Sequence, residues 1–185
     1  MENSKEKGVL FEIIVYSILK DAGLKPFTTS GPNGGDGRVD IHINTPYVNI
    51  VIQCEFREQE NIGPGAVREL IEVLVERTPG TVGILVVDPG FSDGAFEEAE
   101  KNPQFEIILS YKNSIVSDIK RIVEAKKNAT ITENQQLVEA RREYQQLILD
   151  VVEIRLEVQR LRSDIDDLWQ LFLLLILKFG HLVKS

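Results

Sequence analysis

Cysteine is nearly absent from this 185-residue sequence, with Cys54 the single example, and there are only two histidines, one methionine and one tryptophan. One cysteine excludes an internal disulfide framework and fits a reducing, intracellular setting, cytoplasmic or nuclear. His42 and His181 lie far apart, with no cysteine or histidine neighbours at zinc-binding spacing. No Ser–His–Asp set stands out, and no Gly-Lys-Ser/Thr follows the glycine-rich stretch, which excludes a P-loop. The first seven residues include four charged ones, with no apolar stretch behind a basic start, so no secretory signal is read. Long apolar runs are missing as well. Leu168–Leu177 is apolar except for Gln170, and extending it to Val183 takes in Lys178 and His181. A transmembrane helix needs about 20 apolar residues, so no span is expected.

Basic charge is also scarce. The net charge is −8, and it is unevenly placed: residues 1–115 hold 10 Lys and Arg against 18 Asp and Glu, while residues 116–185 hold 11 of each. Phosphate neutralisation by a basic surface supplies much of the affinity of sequence-independent nucleic-acid binders. The acidic first part argues against tight DNA binding without a metal ion or a local patch to reverse the sign.

What is present is a globular composition, 43% hydrophobic and 27% charged, too apolar for disorder. Residues 8–22 place Leu10, Ile13, Ile14, Val15, Ile18 and Leu19 at the spacing of a largely buried helix, stopped by Gly23. Lys25–Thr29 is a short strand candidate, and Gly31–Gly37, with four glycines and Pro32, is a loop. Arg38–Asn44 alternates polar and apolar residues as a strand, with Asp40 at its start, and Tyr47–Glu58 is a second strand. A helix over Pro64–Arg77, a fully buried strand over Thr81–Asp88, a helix from Ser92 to about Lys101, a strand over Phe105–Leu109 and a helix over 114–127 follow. The order predicts an α/β unit, a mixed sheet with helices on both faces, over residues 1–128.

From Thr130 the pattern changes. Thr130-x-x-Glu133 is a capping box that would start a new helix. A heptad then runs with Leu137, Tyr144, Val151, Val158, Ile165, Phe172 and Phe179 on one seam and Ala140, Leu147, Ile154, Leu161, Leu168, Leu175 and Leu182 on the other. With the first seam as a, acidic g residues (Glu143, Asp150, Glu157, Asp164) face basic e residues (Arg141, Arg155, Arg162). In a parallel pair Asp150 meets Arg155 of a second copy and Glu157 meets Arg162, and Val or Ile at a with Leu or Ile at d favours two strands. Residues 129–185 therefore read as a coiled-coil helix that self-associates through 137–182, a parallel dimer favoured, with the helix folded back on its own domain as the other reading. Leu168–Leu177 is apolar on nearly every face, which leaves three uses open: a higher-order helical bundle, a partner, or shallow membrane contact.

The motif Lys7-Gly8…Phe11-Glu12, then Gly35-Asp36-Gly37-Arg38-Val39-Asp40-Ile41, then Ile52-Gln53-Cys54, resembles the Mrr-like type IV restriction-endonuclease domain of the PD-(D/E)xK superfamily. The likeness continues through Ala66-Val-Arg-Glu-Leu and Gly90-Phe-Ser…Ala99-Glu-Lys-Asn, and covers roughly residues 5–110. It implies a restriction-endonuclease-like fold, DNA as partner, and a divalent cation, Mg2+ or Mn2+. Asp40, Gln53, the backbone carbonyl of Cys54 and Glu12 are the ligands that it implies, all oxygen donors of the kind hard cations take. In phosphodiester hydrolysis such a cation stabilises the developing charge and lowers the pKa of a water.

One position departs from the family. Two residues after the glutamine the resemblance calls for a lysine that orients or activates water, and here stands Glu55. Arg57 lies on the same strand face, one pleat further on, but an arginine stays protonated and cannot act as a base. The candidate catalytic residues are therefore Glu12, Asp40, Gln53, Glu55 and Arg57. Two functions follow: a metal-dependent DNA endonuclease with an altered site, or a catalytically degenerate scaffold working through its coiled coil. Read without the resemblance, Glu12 is a solvated helix residue, Asp40 a turn former, Gln53 a satisfied structural amide and Cys54 a buried, unreactive thiol.

Overall fold

The computed structural model describes residues 4–28, 39–58 and 60–180. The Gly31–Gly37 loop, Arg38, His181 and Leu182 lie outside the described residues. Two compact units divide at Thr130.

In the first unit, α1 (Ser4–Asp21) precedes β1 (Ile41–Asn44) and β2 (Asn49–Phe56), and α2 (Pro64–Val75), β3 (Val82–Asp88), α3 (Asp93–Glu100), β4 (Glu106–Tyr111) and α4 (Ile115–Gly180) follow. The strands form one sheet in the order β1-β2-β3-β4, with β1 antiparallel to β2 and the other pairs parallel. A parallel sheet buries both faces, and β3 carries the signature: Val82 to Val87 are all buried.

Alternation along the strands splits the core in two. Ile50, Ile52, Cys54, Ile84 and Val86 pack with Phe11, Val15 and Leu19 of α1 and Ile115, Ile119 and Ile122 at the start of α4. Val51, Leu85 and Val87 point the other way, onto Val67, Leu70, Val73 and Leu74 of α2 and Ala95 of α3. Each fully buried aliphatic side chain contributes about 1.5–3 kcal/mol relative to exposure. Gly83 lets α2 close onto the sheet, since a Cβ there would stand 2.8 Å from Leu74 Cδ1 and 3.2 Å from both Leu70 methyls. Gly83→Ala is expected to cost about 1–3 kcal/mol by overpacking, read as a lower midpoint of urea unfolding.

Three expectations need correction. The buried stripe of α1 is Phe11, Val15 and Leu19, spaced four apart, whereas Leu10, Ile13 and Ile14 are exposed. Lys25–Thr29 forms no strand: its described residues make a single bridge, Phe27 to His42, with the two rings stacked 5.2 Å apart. No new helix begins at Thr130, because α4 runs unbroken from Ile115 to Gly180. No proline and no internal glycine interrupts that span, and the Thr130 hydroxyl donates back to the Lys126 carbonyl at 2.9 Å, as a mid-helix threonine does. The capping-box residues are present without the chain reversal that would make them a cap.

The second unit is the remainder of that helix. All of its described a and d side chains, from Leu137 to Leu175, stand exposed on the single chain. Among the described residues, no helix is long and apolar enough to cross a membrane.

Candidate active site

The antiparallel register pairs Ile41 with Ile52, so the next residue outward, Asp40, falls beside Gln53. Asp40 precedes the first residue of β1, and its N–H donates to the Ile52 carbonyl at 3.1 Å. Its carboxylate turns back onto β2, where Oδ2 accepts the Cys54 N–H at 2.7 Å. This bond holds the carboxylate on the carboxyl-terminal half of β2.

Glu12 reaches the same region from α1, next in sequence to Phe11, whose ring packs 6.0 Å from that of Phe56 on β2. The physical sign of this gathering is electrostatic. Burial raises the Glu12 carboxyl above its ordinary pKa, and the Asp40 and Glu55 charges push it further. Asp40 is raised by burial against the opposing pull of the Cys54 N–H. Glu55 is raised by burial and then by Glu69, with Arg57 opposing and Asp40 adding. Three carboxylates from α1, the start of β1 and β2 thus share one low-dielectric neighbourhood.

Gln53 is half-buried, and its amide oxygen is fully buried with no hydrogen-bond partner among the described residues. A buried acceptor left unpaired costs on the order of 1–3 kcal/mol, so an oxygen in this state is suited to a cation. The satisfied structural amide is not what the described residues provide. The donor chemistry of Asp40, Gln53, Glu12 and the Cys54 carbonyl is all hard oxygen, which fits Mg2+ or Mn2+. Among the described residues no three Asp, Glu, His or Cys side chains alone form a cage. A cation here would depend on the amide and on a backbone oxygen.

Cys54 is buried, and its thiol is raised well above its ordinary pKa, by burial first and then by Asp40, Glu12 and Glu55. It stays a protonated, inert thiol.

Among the described residues, three cations from α1, the end of β2 and the turn after β4 have carboxylate partners. Arg57 is exposed, acts on Glu55 and lies 3.8 Å from Glu60. Lys7 of α1 pairs with Glu58 just after β2, and Lys112 pairs with Asp88 at the end of β3 at 3.2 Å. Sequence reasoning gave no role to Glu69, Glu58 or Lys112. Glu69 sits in the Ala66–Leu70 stretch that carries the resemblance, and its position one α2 turn into the helix was the available signal.

Fold and candidate site together define an α/β protein with a carboxylate and amide cluster on the carboxyl-terminal half of β2, toward the sheet end at which open α/β sheets bind their ligands. The family model Mrr_cat, described as restriction endonuclease, matches residues 4–119, and the chain belongs to that family. Its fold is accordingly restriction-endonuclease-like. A solved structure titled MspJI restriction endonuclease in complex with a 27-mer oligonucleotide is similar at 19% identity and a TM-score of 0.40, over 66% of this chain and 29% of that one. The chain therefore spans under a third of that neighbour's length. No curated protein matches.

Proposed function

We propose that the first unit binds DNA and hydrolyses its phosphodiester bonds with one divalent cation, Mg2+ or Mn2+. Asp40, Gln53 and the Cys54 carbonyl would hold it, with Glu12 assisting. The observation that carries this reading is the buried Gln53 amide oxygen, without a partner among the described residues, beside carboxylates whose pKa values burial raises, with repulsion from Asp40 and Glu55 adding at Glu12. When bound, the cation would lower the pKa of a water and offset the charge that develops on phosphorus.

The chain's own residues do the rest. The Cys54 N–H holds Asp40 in orientation. Glu55, raised by burial, adds a further carboxylate beside Asp40 and Glu12 where the family implies a cation, and so opposes the charge that develops on phosphorus. Arg57, permanently charged, contacts phosphate and takes no proton. An acidic surface binds DNA weakly alone, so cation and substrate would bind cooperatively. The a and d seam would pair two copies in parallel through residues 137–182, giving the assembly a site for each strand.

A second reading, the degenerate scaffold, is favoured by one observation: Glu55 adds an acid where the family implies lysine, and the nearby lysines are held by Glu58 and Asp88. Supercoiled plasmid with Mg2+ or Mn2+ tests the choice. Nicking by the wild type, reduced at least about 100-fold in Asp40→Ala, is expected on the first reading. A wild type that leaves the plasmid intact with either ion overturns it.

A further inference from the structure

The a and d seam accounts for only part of the apolar surface of the second unit. Leu149 and Leu156 occupy f positions and Val152 the b position between them, and they are 62%, 53% and 49% exposed. At 3.6 residues per turn these three form one stripe, roughly 150° around the helix from the a and d seam. A two-stranded coil leaves b, c and f in water, so pairing through a and d would not cover them. The same columns turn apolar again near the end of α4, with Leu173 at b, Leu174 at c and Leu177 at f, all exposed. Gln159, Ser163, Asp166 and Gln170 separate the two apolar groups in these columns, and exposed apolar patches of this kind mark an interface.

Charge identifies the occupant. On one side of the stripe runs the e column, whose charged members are all basic, Arg141, Arg155 and Arg162, with Ile148, Trp169 and Ile176 among them. On the other runs the c column, with Glu139, Glu153 and Asp167, and only Arg160 against the trend. Parallel helices packed on such a stripe bring the e flank of one against the c flank of the next, just as g meets e across the first seam. A basic flank and an acidic flank on one stripe are thus complementary to a further copy of the same helix in the same direction.

We propose that the second unit is a two-faced helix that assembles more than two chains in a parallel bundle, each helix using a and d toward one neighbour and b and f toward another. This rests on the reading of the a and d seam as a self-association surface.

Sedimentation equilibrium on the full chain tests it with three proteins. The wild type is expected at a mass above two chains. The triple variant Leu149→Gln, Val152→Gln, Leu156→Gln is expected to fall to two chains with its helical circular dichroism unchanged, because glutamine is a good helix former. Ile154→Lys with Leu161→Lys, at d positions, is expected to fall to two chains or fewer, because only the shorter b and f stripe is left to hold chains together. A wild type at the mass of two chains overturns the proposal, as does a triple variant with wild-type mass. A two-chain wild type that pellets with phosphatidylglycerol vesicles would assign the stripe to a lipid surface instead. A d-position variant that keeps the wild-type mass removes the first seam itself, and the proposal with it.

Discussion

Glu55→Lys is expected to raise plasmid nicking about 100-fold over the wild type, measured as initial rates with Mg2+. The substitution takes one carboxylate out of the group formed by Glu12, Asp40 and Glu55. On the proposed reading it would place a cation where negative charge develops on phosphorus. A well-placed donor or charge in a water-poor site is worth roughly 2.7–4 kcal/mol of transition-state stabilisation, which is on the order of 100- to 1000-fold in rate. It also turns the repulsion between residue 55 and Glu69 of α2 into attraction, so the folded state should accept it. Glu55→Gln separates the two contributions, because it removes the carboxylate without adding a cation. If Glu55→Lys and Glu55→Gln both slow nicking as far as Asp40→Ala does, the carboxylate itself takes part in the reaction. If nicking appears in Glu55→Lys alone, one residue has disabled the nuclease site, and the function moves to the helix.

Divalent cation is expected to stabilise the first unit by about 2.7 kcal/mol at a hundredfold excess over its dissociation constant, a rise of several degrees in Tm. Asp40→Ala should abolish the rise. The pH dependence of the metal-free protein gives the complementary sign. Glu12, Asp40 and Glu55 all have folded pKa values above their ordinary ones. The folded state therefore holds more protons than the unfolded chain through that range. The stability these groups contribute is fully present below the ordinary carboxylate range and is lost as pH rises through the raised values. Asp40→Asn should consequently stabilise the metal-free protein at neutral pH, with the gain vanishing in acid. Stabilisation by the cation should run the other way and grow with pH, because the ligands must be deprotonated to bind it. Thermal melts from pH 4 to pH 8, with and without Mg2+, read both slopes. A metal-free stability that increases across this range in the wild type but not in Asp40→Asn would contradict the clustering of these carboxylates.

Most of the fold was legible because its signals are local. The unbroken apolar run of β3, the alternation into β1, and the glycines and prolines that punctuate the first unit each act within a few residues. The seven-residue repeat of the second unit has the same local origin. The buried face of α1 was not legible. Phe11, Val15 and Leu19 compete with Leu10, Ile13 and Ile14, which are equally apolar, and only packing against Ile52, Cys54 and the start of α4 selects between them. Nor could the sequence tell a helix start at Thr130 from a helix interior, because the same threonine and glutamate suit both.

The candidate site divides along the same line. By itself the sequence determined which residue types are available: three acids, an amide and a backbone carbonyl at family spacing, with glutamate in place of lysine. Tertiary structure decided what those groups experience. The Asp40 carboxylate is held by an N–H 14 residues away, the Gln53 oxygen is buried without a donor among the described residues, and Glu69 acts on Glu55 of β2 from α2. Burial, pairing and repulsion depend on distances through space between elements far apart in the chain, and composition and spacing do not carry those distances.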